Sequence, residues 1–504
     1  MSTPSSPSTP STSGKLCTEK PLCTERPVDI ETPVYTEDVA LNVVTWDSPD
    51  DPDKPTNWSP LFRWTLIVLV STVTFVAGLS SSIFAPGVPS MMSEFNSSNS
   101  TLATLSVSIF VLGLATGPLL FAPLSELYGR LGVQHIGNFG FLVFTIACAL
   151  ATSLDMLIGF RLVQGIFAAV PLTNGGAIIA DTVRQEERGF ALAMLTMGLL
   201  AGPVVGPVAG GFMNAALGWR WAFWLSAILL APCCIVSLLV WRESYPPVLL
   251  ARKAERLRAE TGNPLLRSEY DTELAPAEHF KRAVKRTCKM LVFSPVVLAT
   301  SLHMGLVYAY FYLLITTLAS VFEETYHFGA SIVGLSFLGL GVGYVVGQVF
   351  FAWLSDRIVR RRAKNGVMLP EDRMFLAFWS GFLVPVAFFW YGWSAQARVH
   401  WIVPIIGPGF MGAGASVLFM SIQVYLIDAY TIYAASALGA TLVARSVMAA
   451  LLPLAAPAMY ARLGMGWGNS LLAFLAMLCI PIPWVLMRWG EAMRGWNPTR
   501  LATL

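Results

Sequence analysis

The sequence predicts an all-α membrane protein whose twelve transmembrane helices form two six-helix bundles. Three observations predict it. Of 504 residues, 55% are apolar and 12% are charged, with a mean hydropathy of +0.61. Soluble domains carry roughly 25% charged residues, so this chain has too few ionic groups to cover a water-facing surface. Twelve apolar runs approach the roughly 20 residues that a helix needs to cross a hydrocarbon layer of about 30 Å. A polar stretch at 242–291 then divides those runs six and six.

The first bundle, 64–241, comes from runs near 64–85, 103–124, 133–151, 156–179, 190–212 and 221–241. The second, 292–488, comes from runs near 292–318, 331–353, 374–391, 401–427, 437–460 and 468–488. The linker 242–291 contains ARKAERLRAE and KRAVKRTCK, and a short tail occupies 489–504. The leading segment 1–63 is rich in Ser, Thr, Pro and acids. It holds too little apolar surface to offset the entropy of ordering, so disorder is expected, and it shows no apolar core of a signal peptide.

Lys and Arg orient the chain, because loops retained in the cytoplasm are enriched in them. With the leading segment inside, the outside loops hold only Arg220, Arg398 and Arg462. The 357–373 loop, with Arg357, Arg360, Arg361, Arg362, Lys364 and Arg373, decides the orientation. Both termini are therefore expected in the cytoplasm. The sequons at Asn96 and Asn99 then fall in an outside loop, where glycosylation can reach them.

The net charge of +3 gives no support for nucleic-acid binding. Seven cysteines show no CxxC or metal spacing, and no GxxxxGK[ST] motif for a nucleotide occurs. No cofactor and no metal are expected. No catalytic cluster is embedded in the spans, which argues against an enzyme.

The sharpest motif is MGLLAGPVVGPVAGGF in the fifth run. Gly198, Gly202, Gly206 and Gly210 repeat every four residues, Gly211 adjoins the last, and Pro203 and Pro207 follow two of them. Glycines at that spacing form a bare ridge that lets another helix approach closely, and proline bends the helix. Gly339, Gly343 and Gly347 form a matching ridge in the eighth run. A seam between the two ridges, joining the halves and able to open by rocking, is expected.

Two arginines lie within runs. Arg161, in LIGFRLVQG, either faces a cavity or partner or snorkels to the headgroups, since Asp155 is only six residues earlier. Gln164 lies nearly one turn further along and can share its network. The same alternatives apply to Arg445. His303 stands near Tyr308, Tyr310 and Tyr312 in the seventh run, either as a structural residue or as part of a cavity. After the second run, APLSELYGRLG offers Gly129 for a sharp turn and Arg130 to pair with Glu126 or a helix end. FAWLSDRIVRRR follows the eighth run, with Asp356 and Arg357 in related positions. That echo six runs later points to a duplicated six-helix unit. No carboxylate lies deep in any run, so the residues themselves do not identify a proton carrier.

Taken together, DSPDDPDKPTNWS, APLSELYGR, RLVQG, GLLAGPVVGPVAGG, GWRWAFW, WLSDR, PEDRM and YLIDAYTIYAASALGA make residues 46–490 resemble the major facilitator superfamily. Within it the closest resemblance is to the fungal twelve-span drug:proton antiporters. The resemblance implies alternating access, proton-driven export and residence in the plasma membrane. It matches Arg161 to a coupling arginine, and Gly202, Pro203, Gly206, Gly210 and Gly211 to the antiporter motif. It matches Glu126, Gly129 and Arg130 to the gating loop, although Glu126 stands where aspartate is usual and Leu131 where a basic residue is usual.

The expected function is a monomeric exporter of small amphipathic molecules such as drugs, toxins or secondary metabolites. Its partners are the substrate, protons and the lipid bilayer. The apolar, aromatic cavity would lie near the midplane between the halves. Rival readings are an exporter of small organic acids, in which Arg161 and Arg445 bind carboxylates, a nutrient importer, and a membrane receptor that transports nothing.

Overall fold

A computed structural model describes residues 42–183, 188–271, 276–362, 369–430 and 434–495. Among them, eleven segments are long and apolar enough to cross a membrane. The last of these, Ser436–Arg494, has 59 residues, roughly 88 Å of helix at 1.5 Å per residue, which is enough for two crossings. It breaks at Gly464, whose φ of 72° and ψ of 178° only glycine adopts readily. Just past the break, the Gly466 N–H donates to Gln396 Oε1 at 2.6 Å. The twelve expected spans are therefore present, and the protein is all-α in its membrane part.

The first six spans are Pro60–Glu94, Ser100–Tyr128, Arg130–Ala149, Leu154–Thr182, Arg188–Leu217 and Trp221–Val240. The seventh to tenth are Pro295–Tyr326, Leu338–Arg362, Pro370–Gln396 and Ile402–Tyr430. Polar caps start several of them. The side chains of Ser59, Asn99, Ser153 and Ser294 accept from backbone N–H groups two or three residues on, which satisfies donors that the first turn leaves free. Ile136, Leu238, Val349 and Leu478 are among many large apolar side chains left exposed on the outer faces. A surface of that kind suits lipid, which demands no polar covering.

The helix pairings repeat between the halves. The first span packs along the fifth, the second along the fourth, and the third along the fourth and sixth. In the same way the seventh packs along the eleventh, the eighth along the tenth, and the ninth along the tenth and twelfth. This is the duplicated unit that the motif echo predicted.

The glycine ridges do not form the expected seam between the halves. The ridge of the fifth span lies against the first span: a Cβ on Gly198 would come within 2.6 Å of Ser71 O, and one on Gly202 within 2.7 Å of Phe75 O. Gly206 and Gly210 face Ile83, and Gly211 is buried. The ridge of the eighth span lies against the tenth, with Gly339 facing Ile405, Gly343 facing Gly409 and Gly347 facing Ala413. A bare ridge predicts a close neighbour but not which helix supplies it, and here each ridge is used inside its own half. The fifth span does meet the eighth and the turn before it, on other residues: a Cβ on Gly334 would come within 2.6 Å of Pro207 O, and Gly341 faces the Val204 side chain.

Three stretches read as tail or linker are folded. Within 1–63, residues 42–59 form a short structured segment while 1–41 lie outside the described residues. Val43–Val44 pairs in parallel with Arg267–Ser268. Asp51 accepts the N–H groups of Asp47 at 3.0 Å and Asp53 at 2.9 Å, and Asn57 Nδ2 donates to Pro49 O and Asp51 O. Lys253 binds Asp47 at 2.6 Å and clamps the segment to the linker. Asp and Asn side chains satisfy this backbone locally, so the segment folds without the apolar core whose absence suggested disorder. The linker holds two helices, Pro246–Thr261 and Pro276–Phe293. At the C-terminal end, helix Pro481–Gly495 runs past 489 and Arg494 binds Glu371 at 2.7 Å, while 496–504 lie outside the described residues.

Two outcomes are expected. Gly202→Ala should lower the unfolding midpoint of the purified protein by an equivalent of about 1–3 kcal/mol, because backbone of the first span has no room to retreat. Gly176→Ala, where no atom lies within 4 Å of the new Cβ, should leave the midpoint nearly unchanged. Equal effects at both positions would contradict the packing. The second outcome concerns Asp51, whose carboxyl is held below the usual aspartate range by the Asp53 N–H, against the opposing effect of burial, with the Asp47 N–H and Lys253 adding to the lowering. A carboxylate with a depressed folded pKa stabilises above its unfolded pKa and loses that contribution as pH falls through the folded value. Limited proteolysis should therefore cut within 42–59 much faster below roughly pH 4 than at neutral pH. Asp51→Asn should be cut readily at neutral pH and respond little to acid.

Candidate functional site

Arg161 is wholly buried within the first bundle, so it does not snorkel. Its guanidinium donates to Ser80 O at 2.8 Å, Ser106 O at 3.2 Å, Val107 O at 3.4 Å and Gln164 Oε1 at 3.2 Å. One planar fork thus ties the first, second and fourth spans together. Phe110, Phe223 and Phe84 place rings 4.9, 5.6 and 5.7 Å from its Cζ. Gln164 is itself held by Thr145 Oγ1 at 2.9 Å. All of these acceptors are neutral, so the charge is compensated by dipoles and π-faces rather than by a carboxylate.

Arg445 occupies a different setting. It lies over the Tyr308 ring at 4.8 Å, and its Nε meets no hydrogen-bond partner among the described residues. With Tyr308, Phe311, Tyr344, Phe419 and Gln423 it lines a cavity between the halves, to which the fifth span adds Thr196 and Pro203. That cavity has about 30 Å³, room for roughly one water. Tyr312, edge-on to Tyr308 at 5.1 Å, donates through its hydroxyl to Ser81 Oγ of the first span at 3.0 Å. Tyr310 points elsewhere, donating to Leu472 O at 2.8 Å within the second bundle. His303 is buried, its Nδ1 has no partner among the described residues, and it is not part of this lining.

A larger cleft of about 570 Å³ opens on the face opposite the chain termini. Thr104, Val107, Thr317, Ser320, Glu324 and Tyr460 are among its walls. Its floor reaches Val107, the residue whose carbonyl Arg161 holds. Asn96 and Asn99 are exposed on this same face. On the termini face the halves are in contact, Gly439 abutting Pro118, and the linker helix is tied to the second half where Arg286 Nε donates to Ser436 Oγ at 2.8 Å.

The loop between the second and third spans, where a gating role was expected, is built from residues that the motif alone did not pair. Gly129 has a φ of 90°, and any side chain there would strike Glu243. Glu243 accepts the N–H groups of Arg130 at 2.9 Å and Leu131 at 3.2 Å, together with those of Ser244 and Tyr245. The Arg130 side chain pairs with Asp181 at 3.2 Å and Ser125 Oγ at 2.6 Å, not with Glu126. Residues four apart on a helix meet only while the helix continues, and Gly129 breaks it between Glu126 and Arg130. The second half repeats the triad: Arg373 binds Asp428 at 3.3 Å and Ser355 Oγ at 3.1 Å. The counterpart of Arg130 is therefore Arg373 rather than Arg357, which is exposed and stacks on Trp353 at 4.4 Å. The Asp356 side chain lies outside the described residues. Asp181 and Asp428 were the missed partners, and their matching places at the ends of the fourth and tenth spans were a signal that could have found them.

Residues 70–453 match the family model described as the Major Facilitator Superfamily. The chain belongs to this superfamily. As a facilitator it is a multi-pass membrane transporter and not an enzyme. It is 50% identical over 465 residues to the MFS-type transporter tndD of Aspergillus flavipes, an alignment covering 90% of this chain and 86% of that one. It is 46% identical to the efflux pump radE of Floropilus chiversii, with 90% and 85% covered. The partially occluded, inward-open structure of the E. coli xylose transporter XylE shares the fold, with a TM-score of 0.64 at 15% identity over 84% of this chain and 97% of that one.

The fork of Arg161 generates a test. Arg161→Lys keeps the charge but cannot reach four acceptors on three helices. Transport normalised to protein in the membrane should fall by about fivefold to thirtyfold, as roughly one to two kcal/mol of lost hydrogen bonding implies. Wild-type flux in this variant would mean that charge alone suffices.

Proposed function

We propose that this facilitator is a proton-coupled exporter of small amphipathic organic molecules, working by alternating access. The observation that carries the reading is a pair of spaces of unequal size. A cleft of about 570 Å³ opens opposite the termini, and an aromatic cavity rimmed by Tyr308, Phe311, Tyr344 and Phe419 lies between the bundles. The cleft falls in the range of roughly 300–1,000 Å³ typical of small-molecule sites, whereas the inner cavity at about 30 Å³ is contracted. Aromatic walls with a few polar groups suit molecules that are part apolar and part polar.

The basic linker and loops favour a cytoplasmic termini face, so the open cleft faces outward and the closed face inward, a post-release arrangement for an exporter. The plasma membrane is the site this reading implies, and a monomer is its unit. The antiporter-like glycine and proline stretch supports export driven by protons, and the likeness to radE, an efflux pump, supports the direction.

One observation favours a second reading. Arg445 lines the inner cavity with no acidic partner among the described residues, so a carboxylate-bearing substrate would complete it. Transport of a carboxylic acid and its neutral ester separates the two. In reconstituted vesicles with an imposed proton gradient, the amphipathic reading expects both to move and Tyr308→Ala to slow both by about tenfold. The acid reading expects only the acid to move and Arg445→Gln to abolish it. A protonophore should stop export in either case; export that survives it, or accumulation in the opposite direction, would remove the proton-driven exporter.

A further inference from the structure

On the termini face, the folded segment before the first span and the first linker helix enclose a pocket of about 380 Å³. Its walls include Trp46, Trp58, Arg242, Arg252, Lys253 and Arg256, with Asp53 and Glu243 as the acidic members. Several of these charges are already engaged. Lys253 is held by Asp47 and Asp51, Arg256 pairs loosely with Glu260 at 3.5 Å, and Glu243 is occupied by four backbone N–H groups. Arg242 and Arg252 are exposed and have no ion-pair partner among the described residues. The pocket therefore presents two unpaired guanidinium groups beside two indoles.

Its position is as informative as its lining. Trp58 immediately precedes Ser59, the cap of the first span, and Arg242 follows the sixth span by two residues. The pocket thus sits where the helices leave the bilayer, the level at which tryptophan settles and basic side chains meet lipid headgroups. Arginine forks suit phosphate geometry, and an indole face suits a ring. Trp58 is fixed edge-on to Phe62 at 5.1 Å, and Arg242 is held near the same ring at 5.5 Å.

We propose that this pocket binds the phosphorylated, ring-bearing headgroup of an anionic lipid in the leaflet on the termini face, with Arg242 and Arg252 taking the phosphate and Trp46 and Trp58 flanking the ring. The bound headgroup bridges the linker helix and the segment before the first span, elements otherwise joined chiefly by Lys253 and the short strand pair.

The test uses the full chain purified in detergent, with thermal unfolding followed against added ligand. The probes are a short-chain phosphatidylinositol monophosphate, phosphatidylcholine of the same chain length, and the soluble inositol phosphate headgroup. A saturable rise in midpoint with the phosphorylated lipid, absent with phosphatidylcholine, is expected. The R242Q/R252Q variant should unfold at the wild-type midpoint without lipid and need at least about tenfold more lipid for the same shift, as loss of charged hydrogen bonds implies. R252Q alone, at an exposed position, provides the same comparison should the double variant fold poorly. An unchanged dose response in R252Q, or an equal shift with phosphatidylcholine, overturns the site. An equal shift with the soluble headgroup at the same concentration overturns the lipid as its source.

Discussion

The hydrocarbon core of the bilayer cannot hydrogen-bond, so every polar group inside it must find a partner within the protein. Arg161 shows what this demands. Its guanidinium reaches carbonyls on the first and second spans and a glutamine on its own span, and phenylalanine rings close over it. The same demand explains why the transmembrane part is helical and why serine and threonine hydroxyls within spans return to carbonyls three or four residues back. Thr74, Thr145 and Thr300 all do so.

Packing is closest inside each half and lighter between the halves. The glycine ridges bring the fifth span onto the first and the eighth onto the tenth, with backbone against backbone. Between the bundles the contacts rest more on side chains, such as Tyr312 on Ser81 and Val204 on Gly341. Such contacts can be exchanged for others without opening a bundle. On the termini face each half carries an Arg–Asp–Ser triad, Arg130 with Asp181 and Ser125, Arg373 with Asp428 and Ser355. Each triad ties the start of one span to the end of another within its own half.

The two intramembrane arginines have separate characters although the sequence treats them alike. Arg161 is saturated with acceptors and enclosed in one bundle. Arg445 is stacked on Tyr308 and borders the space between bundles. Burial with full satisfaction gives the first a structural role, and incomplete satisfaction leaves the second able to take a ligand. His303, buried and away from the lining, joins neither group.

Twelve spans, their division into six and six, the polar linker and the existence of close-packing ridges were legible in the sequence, which left Arg161 open between a buried partner and the headgroups. These follow from hydropathy and local spacing, which depend only on residues near one another in the chain. Tertiary structure alone decided which helix each ridge meets, that Arg130 pairs with Asp181 rather than Glu126, and that Arg445 rather than His303 borders the cavity. It also decided that residues 42–59 fold onto the linker. Those outcomes depend on which helices stand side by side, and partners such as Ser81 and Tyr312, 231 positions apart, leave no local pattern that marks them as neighbours.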